Sequence, residues 1–138
     1  MKLTLESDYA LRIILVLAKH NKTTEAKVIS RDAAVPHPYT LKILRKLMEG
    51  NLVGSDRGKR GGYNLLKNPK ELTVLEILSI TEGEMCLARC MESDYICSRM
   101  GQNKENCAFH RFFGGMSKQL SEALKSKTIS DILSESQK

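Results

Sequence analysis

Tryptophan is missing from this chain, and aromatic residues make up only 5% of it, so any core must come mainly from Leu, Ile, Val and Met. Low-complexity tracts are missing too, and the apolar fraction of 41% is enough for a folded core. At 138 residues that means one ordinary domain, or a small domain with a substantial appendage. No apolar run approaches the roughly 20 residues of a membrane span. The run from Leu11 to Ala18 has Asp8 and Arg12 beside it rather than a basic leader, and no small-residue cleavage site follows. The expected location is cytoplasmic, with no membrane partner. Catalytic apparatus is equally scarce. There is no phosphate-binding loop, no nucleotide fingerprint, and no Ser/His/Asp set at a workable spacing. No enzyme is expected.

Charge is present but unevenly placed. Residues 1–66 carry 12 Lys/Arg against 6 Asp/Glu, a net +6, whereas residues 67–138 carry 10 against 10. The whole basic excess lies in the first half, as expected when one part of a chain meets a polyanion.

Hydrophobic periodicity organises that half. Ala10, Ile13, Ile14 and Leu17 recur at helical spacing and predict a first helix over Asp8–Lys19. A short helix is predicted at about Ala26–Ala33 and a third at about Pro38–Glu49. Pro38 suits a first turn, where no amide donor is needed, and Gly50 suits the C-cap. Leu41, Leu44, Leu47 and Met48 are expected to face inward, leaving Tyr39, Lys42, Arg45 and Lys46 largely outside. Two short helices joined by a tight turn fit a helix-turn-helix. Leu52–Val53 and Tyr63–Leu66 then read as strands flanking a tip rich in Gly and Arg, which makes a hairpin wing.

Thr73-x-x-Glu76 and Thr128-x-x-Asp131 read as capping boxes that open two further helices. The polar tail from Ser134 is expected to fray. Between these, Phe109, Phe112, Phe113, Met116, Leu120 and Leu124 keep helical spacing over about Lys104–Leu124. That helix is more apolar than a lone small domain needs, so pairing with a second copy is expected.

Order on the chain gives these elements meaning. Tyr39, Lys42 and Arg45 sit on the groove-facing part of the third helix, from which base edges and phosphates are reached. Arg57, Lys59 and Arg60 sit on a glycine-rich tip slim enough for a minor groove, where Arg is favoured by the negative potential. Singly, each is an ordinary solvated charge. Together, on the only basic half, they point to double-stranded DNA.

All four cysteines lie between residues 86 and 107, in the pattern C-x3-C-x6-C-x9-C-x2-H that joins Cys86, Cys90, Cys97, Cys107 and His110. Structural zinc prefers tighter pairs of ligands, and only Cys86 and Cys90 come near that. Structural disulfides are disfavoured in a cytoplasmic chain. Thiols spread along a polar loop suit an iron–sulfur cluster, which wants soft thiolates and accepts another ligand type in one place. Zinc binding and thiol redox sensing stay open as alternatives on spacing alone.

The motifs SDYALRI, RGKRGGYNL and ELTVLEILSITEGE, followed by the cysteine loop and a long helix, resemble the IscR/NsrR/CymR family of bacterial winged-helix regulators. The resemblance covers about residues 1–133, and its most specific parts are Arg57–Tyr63 and the cysteine loop. It implies a homodimer on an imperfect palindrome and, in many members, a cluster that reports on cluster supply, nitric oxide or redox state. By position it places three thiolate ligands on Cys90, Cys97 and Cys107. For the fourth it offers His110, as in members resembling IscR, or Asp8 of the other subunit with Arg12 one turn on, as in members resembling NsrR. Cys86 is an extra thiol able to take that place itself, and the gap from Cys97 to Cys107 is longer than usual in the family. Members resembling CymR have no cluster, and four thiols argue against that branch.

The expected molecule is mainly α. It has a winged helix-turn-helix DNA-binding domain (1–82), a cysteine-rich sensing loop (83–110), and a dimerisation helix with a C-terminal helix (104–133). Its expected function is that of a transcriptional regulator, read as a repressor, sensing through a 4Fe-4S or 2Fe-2S cluster. The alternatives are a zinc-stabilised interaction module, or a DNA-binding regulator with a thiol/disulfide switch and no cluster.

Overall fold

The computed structural model describes residues 1–137 and runs α1 (Leu5–His20), α2 (Ala26–Ala33), α3 (His37–Glu49), β1 (Val53–Asp56), β2 (Gly62–Leu65), α4 (Val74–Thr81), α5 (Ala108–Ser126) and α6 (Ile129–Ser136). It is a mainly helical winged helix-turn-helix fold. Among the described residues no helix is long and apolar enough to cross a membrane.

α1 is the central post. Ala10, Ile13, Ile14 and Leu17 are buried on it, and it touches α2, α3, α4 and α6. It starts three residues before the predicted Asp8, because the Thr4 side chain accepts the Ser7 amide and caps the helix. Asp8 is therefore no cap, and lies within the first turns. Leu5, 58% exposed, hid that start by falling outside the apolar stripe.

α3 begins at His37 with Pro38 in its first turn, and its inward face differs from the predicted one. Ile43, Leu44, Leu47 and Thr40 are buried, while Leu41 points outward. Thr40 satisfies its hydroxyl by donating to the Val35 and Pro36 carbonyls, so a polar residue takes the inward place expected of Leu41.

The wing is longer than predicted. β1 and β2 pair antiparallel from Val53–Leu65 to Asp56–Gly62. Thr24 adds a rung through reciprocal bonds with Tyr63, of 2.9 and 2.8 Å, tying the hairpin to the segment before α2. This rung explains the double glycine. A Cβ on Gly62 would lie 2.4 Å from the Thr24 carbonyl oxygen, and one on Gly61 would lie 2.7 Å from that of Asp56. Backbone meets backbone there, and only Gly fits.

Both predicted capping boxes form, at Thr73/Glu76 and Thr128/Asp131. The two helix starts are clipped side by side: the Val74 amide donates to Lys127 and the Ile129 amide to Leu72. Ile129 is buried, and α6 packs on α1. Contrary to the expected fraying, α6 continues to Ser136. Ser134 and Ser136 donate to carbonyls one turn back, and Lys127 pairs with Glu135. α5 also starts later than predicted, because residues 104–106 form a separate 3-10 turn.

Candidate functional site

The first surface is built by α3 and the wing. Tyr39, Lys42 and Arg45 are all exposed on α3, and Arg57, Lys59 and Arg60 are exposed at the wing tip. Among the described residues, Arg45 and the three wing cations make no salt bridge. Lys42 differs. Its ammonium lies 2.7 Å from Glu6 Oε1, while Lys46 lies 2.5 Å from Glu6 Oε2. Glu6 carried no signal in the sequence, since its partners are about 40 residues away and no local pattern links them.

The first turns of α1 lie between this surface and the root of the cysteine loop. On one side Tyr9 meets Tyr39 edge-on at 5.9 Å, and Arg12 donates to the Ala34 carbonyl. On the other side Glu82, which closes α4, accepts the Thr4 amide (2.7 Å), the Thr4 hydroxyl (2.8 Å) and the Ser7 hydroxyl (2.5 Å). Thr81 adds a hydroxyl contact to Ser7. The Ser7 hydroxyl, then the Thr4 amide, hold the Glu82 carboxyl below the ordinary range. A depressed carboxyl stabilises the fold fully above its unfolded value, near 4.3, and that stabilisation is lost as pH falls through the lower folded value. Acid unfolding followed by circular dichroism is therefore expected to show a shallower acid limb for Glu82→Gln.

The cysteine loop follows at Gly83. It contains only single 3-10 turns, Arg89–Met91 and Lys104–Asn106, and is tied to α5 through buried Ser117. The Ser117 hydroxyl accepts the Leu87 amide at 3.0 Å and donates to the Met91 sulfur at 3.3 Å. Two of the expected ligands already meet: His110 Nδ1 is 3.5 Å from Cys90 Sγ. Cys97 sits on a tight bridge to Gly101. Cys107 is the N-cap of α5. No hydrogen bond or ion pair joins Asp8 to the loop among the described residues, and Asp8 pairs instead with Arg12 at 2.7 Å. Among the described residues no group of three or more His, Cys, Asp or Glu side chains converges closely enough to hold a metal ion.

The four thiols are chemically unequal. The backbone amides of His110 and Phe109 stabilise a thiolate at Cys107 and lower its pKa, with Arg99 and Arg111 helping. Burial, then the Glu84 and Glu92 carboxylates, push Cys86 up. Cys86 lines an apolar cavity of about 560 Å³ with Leu3, Leu78, Leu120 and Leu124. In metal-free protein, iodoacetamide near neutral pH is expected to alkylate Cys107 well before Cys86. Peptide mass mapping over time reads the order.

A family model described as "Rrf2: Iron-dependent Transcriptional regulator" matches residues 3–135. The chain is 30% identical over 97 residues to the HTH-type transcriptional regulator NsrR of Shouchella clausii, covering 68% of this chain and 64% of that one. Among solved structures, CymR, the global cysteine regulator of B. subtilis, is 25% identical with a TM-score of 0.75, and 98% of each chain is covered. T. potens IscR also superposes with a TM-score of 0.75 at 22% identity, over 99% of this chain and 88% of that one, which is a likeness of fold.

Proposed function

The chain belongs to the Rrf2 family of transcriptional regulators, and from that premise we propose a homodimeric repressor whose loop over residues 83–110 binds an iron–sulfur cluster. Residues 1–82 bind an imperfect DNA palindrome through Tyr39, Lys42 and Arg45 in the major groove and Arg57, Lys59 and Arg60 at the wing. Two copies meet along α5, where Phe109, Phe112 and Met116 are 67%, 61% and 41% exposed.

The observation that carries the cluster assignment is the approach of Cys90 and His110, beside a thiol at the start of α5 that is already biased toward thiolate. The donor chemistry fits. Cys90, Cys97 and Cys107 supply soft thiolates, and His110 is favoured for the fourth place. The rivals for that place fit less well. Burial and the nearby Glu84 and Glu92 carboxylates raise the Cys86 pKa, which disfavours its thiolate, and Asp8, supplied by the partner, would first have to leave Arg12. The donors are not caged in advance; the loop has no element longer than one turn to stop them closing on iron. When bound, the cluster supplies an iron centre reactive toward redox change or nitric oxide.

The chain's own contacts provide the link to DNA. Ser117 fastens the loop to α5, and Glu82 fastens its root to the first turn of α1. A change in the loop therefore reaches both the dimer helix and the helix that lies against α3.

Anaerobic purification with absorbance and iron, sulfide and zinc analysis tests the assignment. A brown protein with iron and sulfide in equal amounts, lost on Cys107→Ser, is expected. A colourless protein carrying zinc would support the interaction module instead. A colourless, metal-free protein that forms a reversible disulfide would support the thiol switch.

A further inference from the structure

Lys42 and Lys46 stand one turn apart on α3, and a single carboxylate grips both. Glu6 Oε1 is 2.7 Å from one ammonium and Oε2 is 2.5 Å from the other. A carboxylate bridging two ammonium groups holds them as a backbone phosphate would. Glu6 is well placed to keep its hold. Residues 6, 9 and 12 of α1 form one face, and each meets the helix-turn-helix: Glu6 at Lys42 and Lys46, Tyr9 at Tyr39, Arg12 at the Ala34 carbonyl.

We infer that Glu6 is a built-in competitor for the DNA backbone, occupying Lys42 and Lys46 in the free protein, and that Glu82 sets how firmly it does so. The inference rests on the DNA-binding face proposed above. Two facts connect Glu82 to this grip. Thr4 and Ser7, the residues either side of Leu5 and Glu6, are both hydrogen-bonded to the Glu82 carboxylate. Glu82 is also the last residue before Gly83 and the cysteine loop. The first turn of α1 is thus held at one end by the loop root and holds α3 at the other.

The charge of Glu6 is maintained by the pair itself. Its carboxyl is kept below the ordinary range by the bond from Lys42 first and Lys46 second, and Lys42 is raised in turn by Glu6. At neutral pH the competitor is therefore an anion, and a phosphate entering the same place meets repulsion until Glu6 lets go. These are exposed ion pairs, so the competition is modest and weakens with salt.

The test measures binding of the full dimer to a nonspecific DNA duplex across a salt series, so that no operator needs to be known. Glu6→Gln keeps the shape and removes the charge. It is expected to tighten binding at low salt by about three- to tenfold and to steepen the log–log salt slope by about one to two, the signature of one or two phosphates newly neutralised. Glu82→Ala, or Glu82→Gln should the alanine variant fail to fold, is expected to tighten binding in the Glu6 chain and to do nothing in the Glu6→Gln chain. A merely structural role for Glu82 would shift both backgrounds alike. Unchanged or weaker binding by Glu6→Gln, with an unchanged slope, overturns the competitor. Equal effects of the Glu82 variant in both backgrounds overturn its control of Glu6. Arg57→Ala/Arg60→Ala separates the two levels. If that variant weakens binding while Glu6→Gln does nothing, only the competitor fails; if that variant also has no effect, the DNA-binding face fails.

Discussion

Phe109→Glu/Phe112→Glu is expected to convert the protein to a monomer at micromolar concentration and to lower operator affinity by about 10²–10⁴-fold. Both rings stand on α5 with more than half of their surface exposed, and Met116 continues the same stripe one turn on. Phe112 is steadied by an edge-on contact with Phe113 at 5.3 Å, so it presents a fixed apolar face. Covering such rings contributes about 25 cal/mol per Å², and buried carboxylates without partners would reverse that gain. The effect on DNA follows from geometry. A dimer delivers two recognition helices about 34 Å apart to successive major grooves, whereas a monomer binds one half-site and loses the linked second event. Sedimentation reads the assembly, and circular dichroism checks that helix content is kept. A dimer that persists in this variant would place the interface elsewhere.

Arg57→Ala/Arg60→Ala is expected to have the next largest effect. Arg57 alone should cost about 1–3 kcal/mol on the operator if its guanidinium enters the groove. Lys59→Ala should instead weaken binding on all sequences and flatten the salt slope by about one. The wing can make this distinction because its root is rigid. Thr24 and Tyr63 exchange backbone bonds, and Asn64 and Thr23 both donate to the Asp56 carboxylate, at 3.1 and 2.6 Å. The cations project from a braced hairpin rather than a floppy turn. Fluorescence anisotropy on operator and nonspecific duplexes, across salt, reads both variants. Unchanged operator affinity after loss of both arginines would remove the wing from the interface.

What was legible in the sequence was what neighbouring residues decide among themselves. Thr73/Glu76 and Thr128/Asp131 are three residues apart, and both boxes form as read. RGKRGG announces a tip because Gly61 and Gly62 are forced by contacts within the hairpin and with Thr24, and Gly58 by its φ of +109°. The basic excess of the first half pointed to a polyanion, and the chain is a DNA-binding regulator by family. Long-range contacts were invisible. Thr40 took the inward place expected of Leu41 because its hydroxyl finds the Val35 and Pro36 carbonyls, which no apolar pattern within α3 records. Glu6, Ser7 and Glu82 looked like surface residues, yet they join three elements: Glu6 reaches Lys46 across 40 residues, and Ser7 reaches Glu82 across 75. The cysteine loop stood out by composition, whereas the inequality of Cys86 and Cys107 comes from an apolar cavity and a helix start.

Control of DNA affinity by the cysteine loop is read by comparing the two loop states on one operator. Cluster-loaded and cluster-free protein are titrated against the same operator at the same salt, with the dimer verified in both. Cluster-free protein is expected to bind about 5- to 150-fold more weakly, the range of coupling between two sites through a shared conformational change. Equal affinity, with the dimer intact in both forms, would leave the four thiols without a part in regulation.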